Sequence, residues 1–210
     1  MKAVLFDLDG VLLNSEPVNV AAAVHAFKDS GIYLSAEDKK QIVGRHPADY
    51  NKIFRKYVFD KKKIVKLHAK YYAFFYHRAR PYPYARSLVL LAKKNCKTAL
   101  VTSSERYVVN KALRVLKLFK SDFDAFVTFE SCKERKPSPL PYLIAAKTLK
   151  VKPKDCLVVE DSVPGVTSAK RAKIKCFAVT HTTPASKLKK ADLIVKSLND
   201  SRITNLLSSQ

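Results

Sequence analysis

Glycine is nearly absent from this chain, with four residues in 210. Scarcity makes each one informative, because glycine suits places where a backbone turn or a close approach leaves no room for a side chain. Gly10 follows two aspartates, Gly31 follows a helical segment as a C-cap would, Gly44 lies in Ile42-Val43-Gly44-Arg45, and Gly165 follows a second acidic turn. Cysteine is equally sparse: Cys96, Cys132, Cys156 and Cys176 form no CxxC pair, which argues against a zinc site. Cys96, Cys156 and Cys176 sit at or beside apolar runs and read as small buried hydrophobes in a reducing compartment. No apolar run reaches the roughly 20 residues a membrane helix needs. Acidic Asp7 arrives too early for a signal-peptide apolar region, so a cytoplasmic protein with no membrane partner is expected. Internal repeats and low-complexity segments are missing.

Acidic residues are few: 18 Asp and Glu face 40 Lys and Arg, a formal net charge of +22. Such a field suits a polyanion, nucleic acid included, and it would also draw in a small anionic substrate. No arginine-rich or aromatic-interleaved nucleic-acid motif stands out, and the basic residues are spread along the chain. A lysine-rich solvated surface is therefore the favoured reading, with nucleic acid as its alternative. With 47% hydrophobic residues a sizeable core can form, enough for one domain or for a core domain with a smaller insertion.

The chain is organised around Phe6-Asp7-Leu8-Asp9-Gly10-Val11. The apolar run Ala3 to Phe6 has the length of a short buried strand, which places Asp7 and Asp9 just beyond its end. Strand-like alternation is then missing from Glu16 to Arg80. Helices are expected from Pro17 to Gly31, from Ser35, over Pro47 to Val58 and over Lys61 to Tyr76. The aromatic run Tyr71 to Tyr76 reads as a helix packing into a core rather than a stacking platform for a base. Arg80-Pro81-Tyr82-Pro83-Tyr84 reads as a stiff, extended linker, so hinges are expected at 13–17 and 79–84.

From Ala85 the texture becomes α/β. Strands are expected at Lys97–Thr102, Ala125–Phe129, Cys156–Val159, Lys175–Val179 and Ala191–Val195. Helices are expected at Ser87–Lys94, Tyr107–Leu118, Pro139–Leu149 and Val166–Ala172. This alternation predicts a parallel sheet with helices on both faces, joined by the first strand. The expected organisation is an α/β core of residues 1–14 and 84–210 with a small all-helical cap, 15–83, inserted after strand one.

Three strands end in residues able to do chemistry: Asp7 and Asp9; Thr102, Ser103 and Ser104; Glu160, Asp161 and Ser162. Lys136 lies between the last two groups. In a parallel sheet such ends share one edge and converge. Taken singly, Thr102 or Ser103 could cap a helix and Lys136 could be one solvated lysine among many. Taken together they suggest phosphoryl transfer. Asp7 would attack phosphorus. Asp9 would protonate the leaving oxygen and then deprotonate water. Thr102 and Lys136 would bind phosphate oxygens. Mg²⁺ on Asp7, Asp161 and a main-chain carbonyl would offset like-charge repulsion.

With these residues in place the sequence resembles the haloacid dehalogenase superfamily, in its β-phosphoglucomutase-like phosphatase branch with a small helical cap. Phe6-Asp7-Leu8-Asp9-Gly10-Val11-Leu12 resembles the family's first motif and Leu100-Val101-Thr102-Ser103-Ser104 its second. Lys136-Pro137-Ser138-Pro139 resembles the third, and Val159-Glu160-Asp161-Ser162-Val163-Pro164-Gly165 the fourth. The resemblance implies a Rossmann-like α/β core. It implies Asp7 as nucleophile, Asp9 as acid and base, phosphate binding by Thr102, Ser103 and Lys136, and Mg²⁺ on Asp7, the Asp9 carbonyl and Asp161, with Glu160 nearby. It also implies Arg45, beside Gly44, as a cap-side substrate contact. Asp9 favours phosphate esters, since dehalogenases of this type lack it.

Asn14, Leu140 and Tyr84 depart from the family pattern, and Asn19 stands where sugar-phosphate mutases carry a histidine. The expected function is hydrolysis of small phosphate monoesters from a phosphorylated metabolite. A phosphomutase is the first alternative, and a basic nucleic-acid-binding protein with a vestigial site the second. Oligomeric state is open, with a monomer the simpler expectation.

Overall fold

The computed structural model describes residues 1–43, 45 and 47–208. Gly44, named above as a motif residue, lies outside them. Two compact units are present, Met1–Asn14 with Arg80–Gln210, and Ser15–Ala79.

The first unit begins with β1 (Ala3–Phe6) and a two-residue β2 (Leu13–Asn14). It resumes with β3 (Arg80–Pro81), which pairs antiparallel with β2. That pairing places 80–83, expected as linker, in the α/β unit. Tyr82 N also donates to Leu12 O at 3.0 Å. The chain then alternates through α5 (Ala85–Asn95), β4 (Lys97–Val101), α6 (Arg106–Leu116), β5 (Ala125–Val127) and α7 (Leu140–Thr148). It continues through β6 (Cys156–Glu160), α8 (Val163–Arg171), β7 (Lys175–Val179) and β8 (Leu193–Val195), and closes with α9 (Ser201–Ser208).

Six strands form one sheet in the order β5-β4-β1-β6-β7-β8, and every pair is parallel. Strand alternation splits β1 between two cores. Ala3 and Leu5 join Ala99, Val101, Val158 and Ala178 under Tyr142, Ala145, Val166 and Ala169 of α7 and α8. On the other side Phe6 meets Phe123 edge-on, and α5 packs on β4 with α9 against it. Burying each large apolar side chain contributes roughly 1.5–3 kcal/mol. α9 was not expected; its apolar positions Ile203 and Leu207 are four apart and both are buried. β1 is the strand where the order reverses, so its C-terminal end opens onto the crevice where parallel sheets bind ligands.

Several expected elements are shorter than the sequence suggests; β8 begins at Leu193 rather than Ala191 and α1 ends at Lys28 before Gly31. β5 stops at Val127 because Phe129 N leaves the ladder for Ser104 O at 3.0 Å. The helix expected over Pro47 to Val58 is a 3-10 turn at Pro47–Asp49 followed by α3 (Tyr50–Ile53). Phe54 ends it by turning into an aromatic cluster, its ring 5.3 Å from that of Phe27. Cys96 is half-buried rather than buried, whereas Cys132 is buried; all four thiols are free.

The helical unit contains α1 (Glu16–Lys28), α2 (Ala36–Ile42), α3 and α4 (Lys61–Phe75) around Phe27, Tyr50, Phe54 and Ile64. In the aromatic run Phe75 and Tyr76 are buried, and His25 packs on the rings of Tyr71 and Phe75 at 5.2 and 4.8 Å. Asp38 ties this unit together. It accepts from Ser35 N at 2.9 Å and from Tyr57 OH at 2.8 Å, and it pairs with Lys56 at 2.7 Å. These partners, Lys56 first, hold its carboxyl far below the usual range. A depressed carboxyl stabilises the fold above its unfolded pKa and loses that contribution as pH falls. Asp38→Asn is therefore expected to lower the unfolding temperature by roughly several degrees at pH 7. The gap from the wild type should narrow between pH 5 and pH 2, which thermal melts across that range would measure.

Candidate active site

The parallel ladder carries each chain one residue past its strand before releasing it. Asp7 N donates to Val159 O at 3.1 Å, Thr102 N to Val127 O at 2.9 Å, and Thr180 N to Val195 O at 3.0 Å. Asp7 and Thr102 are thereby fixed along one edge; Asp161, next after β6, is held instead by its N–H on Glu160 Oε2 at 2.9 Å, and all three are buried. The Asp7, Glu160 and Asp161 carboxylates each offer an oxygen within 4.8 Å of the others.

Lys136 reaches this edge from the loop before α7. Its ammonium donates to Asp7 Oδ1, to Glu160 Oε1 at 2.7 Å and to Val101 O at 3.2 Å, and it lies 4.9 Å from the centre of the Tyr142 ring. Burial works against its charge, but the Asp7 and Glu160 carboxylates hold its pKa above the usual range. Glu160 is saturated. Oε1 accepts from Lys136 and from Tyr142 OH at 2.9 Å, while Oε2 accepts from Asp161 N, Ser162 N and Ser162 Oγ at 2.9, 3.0 and 2.9 Å. Burial would raise its pKa, and Lys136 with these donors holds it below the usual range. Glu160 thus orients Lys136 and the acidic turn.

Asp7 and Asp161 experience the opposite balance. Burial pushes Asp7 up to about 8 against the pull of Lys136. Burial, with Glu160 and Asp7 beside it, pushes Asp161 well up. One ammonium pairs with two of the three carboxylates, so ionising all three would leave the cluster with excess negative charge, which, with burial, is why Asp7 and Asp161 hold their protons so firmly. Hard oxygen donors that can ionise only against an added positive charge fit a divalent cation such as Mg²⁺.

The remaining expected residues fall as follows. Asp9 is half-buried, and its Oδ2 accepts from Ser104 Oγ at 2.8 Å. Thr102 does not cap a helix: its Oγ1 accepts from Ser104 N at 3.0 Å, and the residue before α6 is Glu105. Ser103 is exposed beside it and, with Thr102 and Lys136, lines a small pocket. Arg45 is exposed in the helical unit. There Asn19 Nδ2 donates to Arg45 O at 3.4 Å, and Asn19 Oδ1 lies 3.0 Å from Nε2 of buried His68.

Sequence reasoning missed the fourth strand end. After β7, Thr182 Oγ1 donates to Asp161 Oδ2. His181 Nδ1 bonds Gly10 O at 3.0 Å, and the His181 ring stacks on Tyr82 at 3.8 Å. A carbonyl only accepts, so Nδ1 carries the proton. The signal was available, since Thr180-His181-Thr182-Thr183 follows an apolar strand just as the other polar turns do. The glycines belong to the same construction. Gly10 has φ +90°, and a Cβ there would stand 2.1 Å from Asp161 Oδ2. A Cβ on Gly165 would stand 1.7 Å from Glu160 Oε1.

A profile of the haloacid dehalogenase-like hydrolases matches residues 4–179. The chain is 33% identical over 205 residues to the Arabidopsis thaliana protein SUPPRESSOR OF QUENCHING 1, chloroplastic, covering 91% of this chain but only 19% of that one. It is 31% identical over 197 residues to the phosphorylated carbohydrates phosphatase of Thermotoga maritima, covering 87% of each. The crystal structure of a β-phosphoglucomutase from Clostridium difficile superposes with a TM-score of 0.78 at 24% identity, covering both chains in full, and so shares the fold. Among the described residues no helix is long and apolar enough to cross a membrane. The parallel sheet, the acidic edge and the match over residues 4–179 place this chain in the haloacid dehalogenase-like hydrolase family.

Proposed function

We propose that the chain is a Mg²⁺-dependent phosphatase that hydrolyses small phosphate monoesters through an aspartyl-phosphate. One observation carries the reading: a buried carboxylate, Asp7, has one oxygen held by Lys136. Oδ2, the other oxygen, is the nucleophile. It bonds to phosphorus as the ester P–O bond breaks, and Asp9 gives its proton to the leaving oxygen. Asp9 then takes a proton from the water that attacks the phosphorus and frees Asp7. Thr102 and Ser103 donate hydroxyls to the phosphate oxygens, and Lys136 offsets their charge. Mg²⁺ would be held by Asp7, Asp161 and the Asp9 carbonyl and would neutralise phosphate charge. Glu160 and Thr182 position the acidic side of the site. Residues 15–79 form the cap that selects the substrate, Arg45 contacts the part of the substrate beyond the phosphate, and four free thiols suit the reducing cytoplasm.

The Thermotoga relative supports a sugar-phosphate class of substrate. Purified protein is expected to release phosphate from an aryl phosphate only with Mg²⁺, and Asp7→Asn to lose on the order of 10³-fold or more of that activity. No release by the wild type, or full release by the variant, would overturn the reading. The second reading, a phosphomutase, draws on an imidazole, His68, bonded to Asn19, the position where such mutases carry a histidine. Isomer formed from a sugar 1-phosphate without free phosphate would favour it.

A further inference from the structure

Because every strand pair in the sheet is parallel, the edge opposite the catalytic one collects all the strand starts. Lysines gather there. Lys2 precedes β1, Lys97 opens β4 and Lys175 opens β7, and all three are exposed. Lys97 is level with Ala3 of β1, and Lys175 is level with Leu157 of β6. The row from β4 to β7 therefore spans three strand spacings, about 14 Å.

The turns that feed this edge repeat one motif. Lys117 follows α6, Lys150 follows α7 and Lys173 follows α8, with φ of 54°, 56° and 58°. Beyond each, an amide reaches back over the last helical turn: Leu118 N to Leu113 O, Val151 N to Ala146 O and Ile174 N to Ala169 O, at 2.9, 3.0 and 3.0 Å. This left-handed position is the one glycine occupies at low cost. The chain does use glycine in the same motif after α1, where Gly31 has φ +78° and Ile32 N bonds Phe27 O at 2.9 Å. All three copies on the α/β unit instead carry an exposed lysine in a backbone conformation that strains an L residue. A cation at a helix C-terminus recovers part of that strain. It does not account for lysine at every copy that faces this one edge.

The acids at this edge do not cancel the charge. Asp124 is paired with Lys93 and accepts from Thr98 N, and Asp192 is paired with Lys170 and accepts from Cys176 N. Asp122, which accepts from Phe119 N, and Asp155 beside Lys2 are the two acids that remain among the described residues, fewer than the lysines they face. Phe119, between Lys117 and Lys120, is 72% exposed and offers an aromatic face within the basic edge.

We propose that this edge, formed by the strand starts and by the lysines at Lys117, Lys150 and Lys173, is a docking surface for single-stranded nucleic acid. The lysines meet backbone phosphates without reading sequence. Phe119 stacks on an unpaired base, which favours a single strand over a duplex. One exposed ring is too little apolar surface for insertion into a membrane interface. The surface is separate from the catalytic residues, so binding and hydrolysis are independent properties.

The test is fluorescence anisotropy with a labelled 20-nucleotide single strand between 50 and 200 mM salt. The wild type is expected to bind with a steep salt dependence. The triple variant Lys117→Gly, Lys150→Gly, Lys173→Gly removes charge and backbone strain together. It should melt at or above the wild-type temperature and keep wild-type phosphate release. Its affinity should fall at least ~10-fold and its log–log salt slope by about 2, at roughly 0.7 per lost phosphate contact. Lys39→Gln, Lys62→Gln, Lys63→Gln removes the same charge from the helical unit and should bind like the wild type. Phe119→Ala should weaken binding with the slope unchanged. Absence of oligonucleotide binding at 50 mM salt overturns the proposal, whatever anionic vesicles do. Equal losses in the two triple variants, or tighter binding of a matched duplex, also overturn it.

Discussion

Replacing Lys136 with methionine is expected to abolish phosphate release and to destabilise the α/β unit by about 3–5 kcal/mol, the usual cost of leaving a buried charge without its partner. The ammonium touches Asp7, Glu160 and Val101 O, and both carboxylates are almost fully buried. For a chain of this size such a loss is on the order of 10 °C in the melting temperature. The pH dependence identifies the cause. Glu160 has a depressed carboxyl, so it stabilises the fold above the ordinary glutamate pKa, and that contribution is lost as pH falls. Lys136 has a raised pKa, so its contribution holds at every pH below the ordinary lysine value. Removing the lysine strands the Glu160 carboxylate most severely at pH 8, and protonation relieves it toward pH 5, whereas Asp7, already raised to about 8 by burial, then simply keeps its proton. Melts of both proteins at the two pH values would show the difference shrinking in acid. An equal difference at both would mean that lost packing, not charge, sets the cost. Lys136→Arg would not substitute, because a planar fork cannot reproduce a point charge among three acceptors.

Gly165→Ala is expected to harm the protein where helix propensity alone predicts a gain of about 1 kcal/mol. Gly165 lies in the first turn of α8, and its N–H bonds Ser162 Oγ at 3.0 Å. The added methyl would stand 1.9 Å from Glu160 Cδ. A flexible carboxylate could swing away, but this one accepts from Lys136, Tyr142, Asp161 N, Ser162 N and Ser162 Oγ. Either those bonds break or the helix moves. Overpacking of this kind costs roughly 1–3 kcal/mol. A displacement of about 1 Å at catalytic groups costs on the order of 10²-fold in rate. Steady-state kinetics with a thermal melt would measure both. A variant as stable and as active as the wild type would show that the carboxylate can move freely.

The sheet was legible because its strands are short apolar runs set between amphipathic helices, and parallel order then brings Asp7, Thr102 and Asp161 to one edge. Lys136 was legible by its place before Pro137-Ser138-Pro139, although nothing local reveals that it reaches 129 residues back to Asp7. Elements that depend on distant partners were not legible. Phe54 ends α3 because Phe27 offers it a ring to pack on, and Phe129 leaves the sheet because Ser104 O accepts from it. Thr182 and His181 were overlooked because neither carries chemistry until the sheet sets them against Asp161 and Gly10. The lysines at left-handed positions were hidden for a different reason. A helix-ending lysine reads as ordinary in a basic chain, and only its φ marks it out.

The two-residue ladder between β2 and β3 has a consequence for how such chains diversify. It joins the residues through which the chain leaves and re-enters the α/β unit, Leu13–Asn14 and Arg80–Pro81, so everything between them is one closed loop. Closure is held by this ladder and by Tyr82 N on Leu12 O, all within the α/β unit. The free energy of closing a flexible loop grows only logarithmically with length, and doubling the insert would add about 0.6 kcal/mol. The insert can therefore be lengthened, shortened or exchanged at little thermodynamic cost to the sheet or to the carboxylates fixed at its edge.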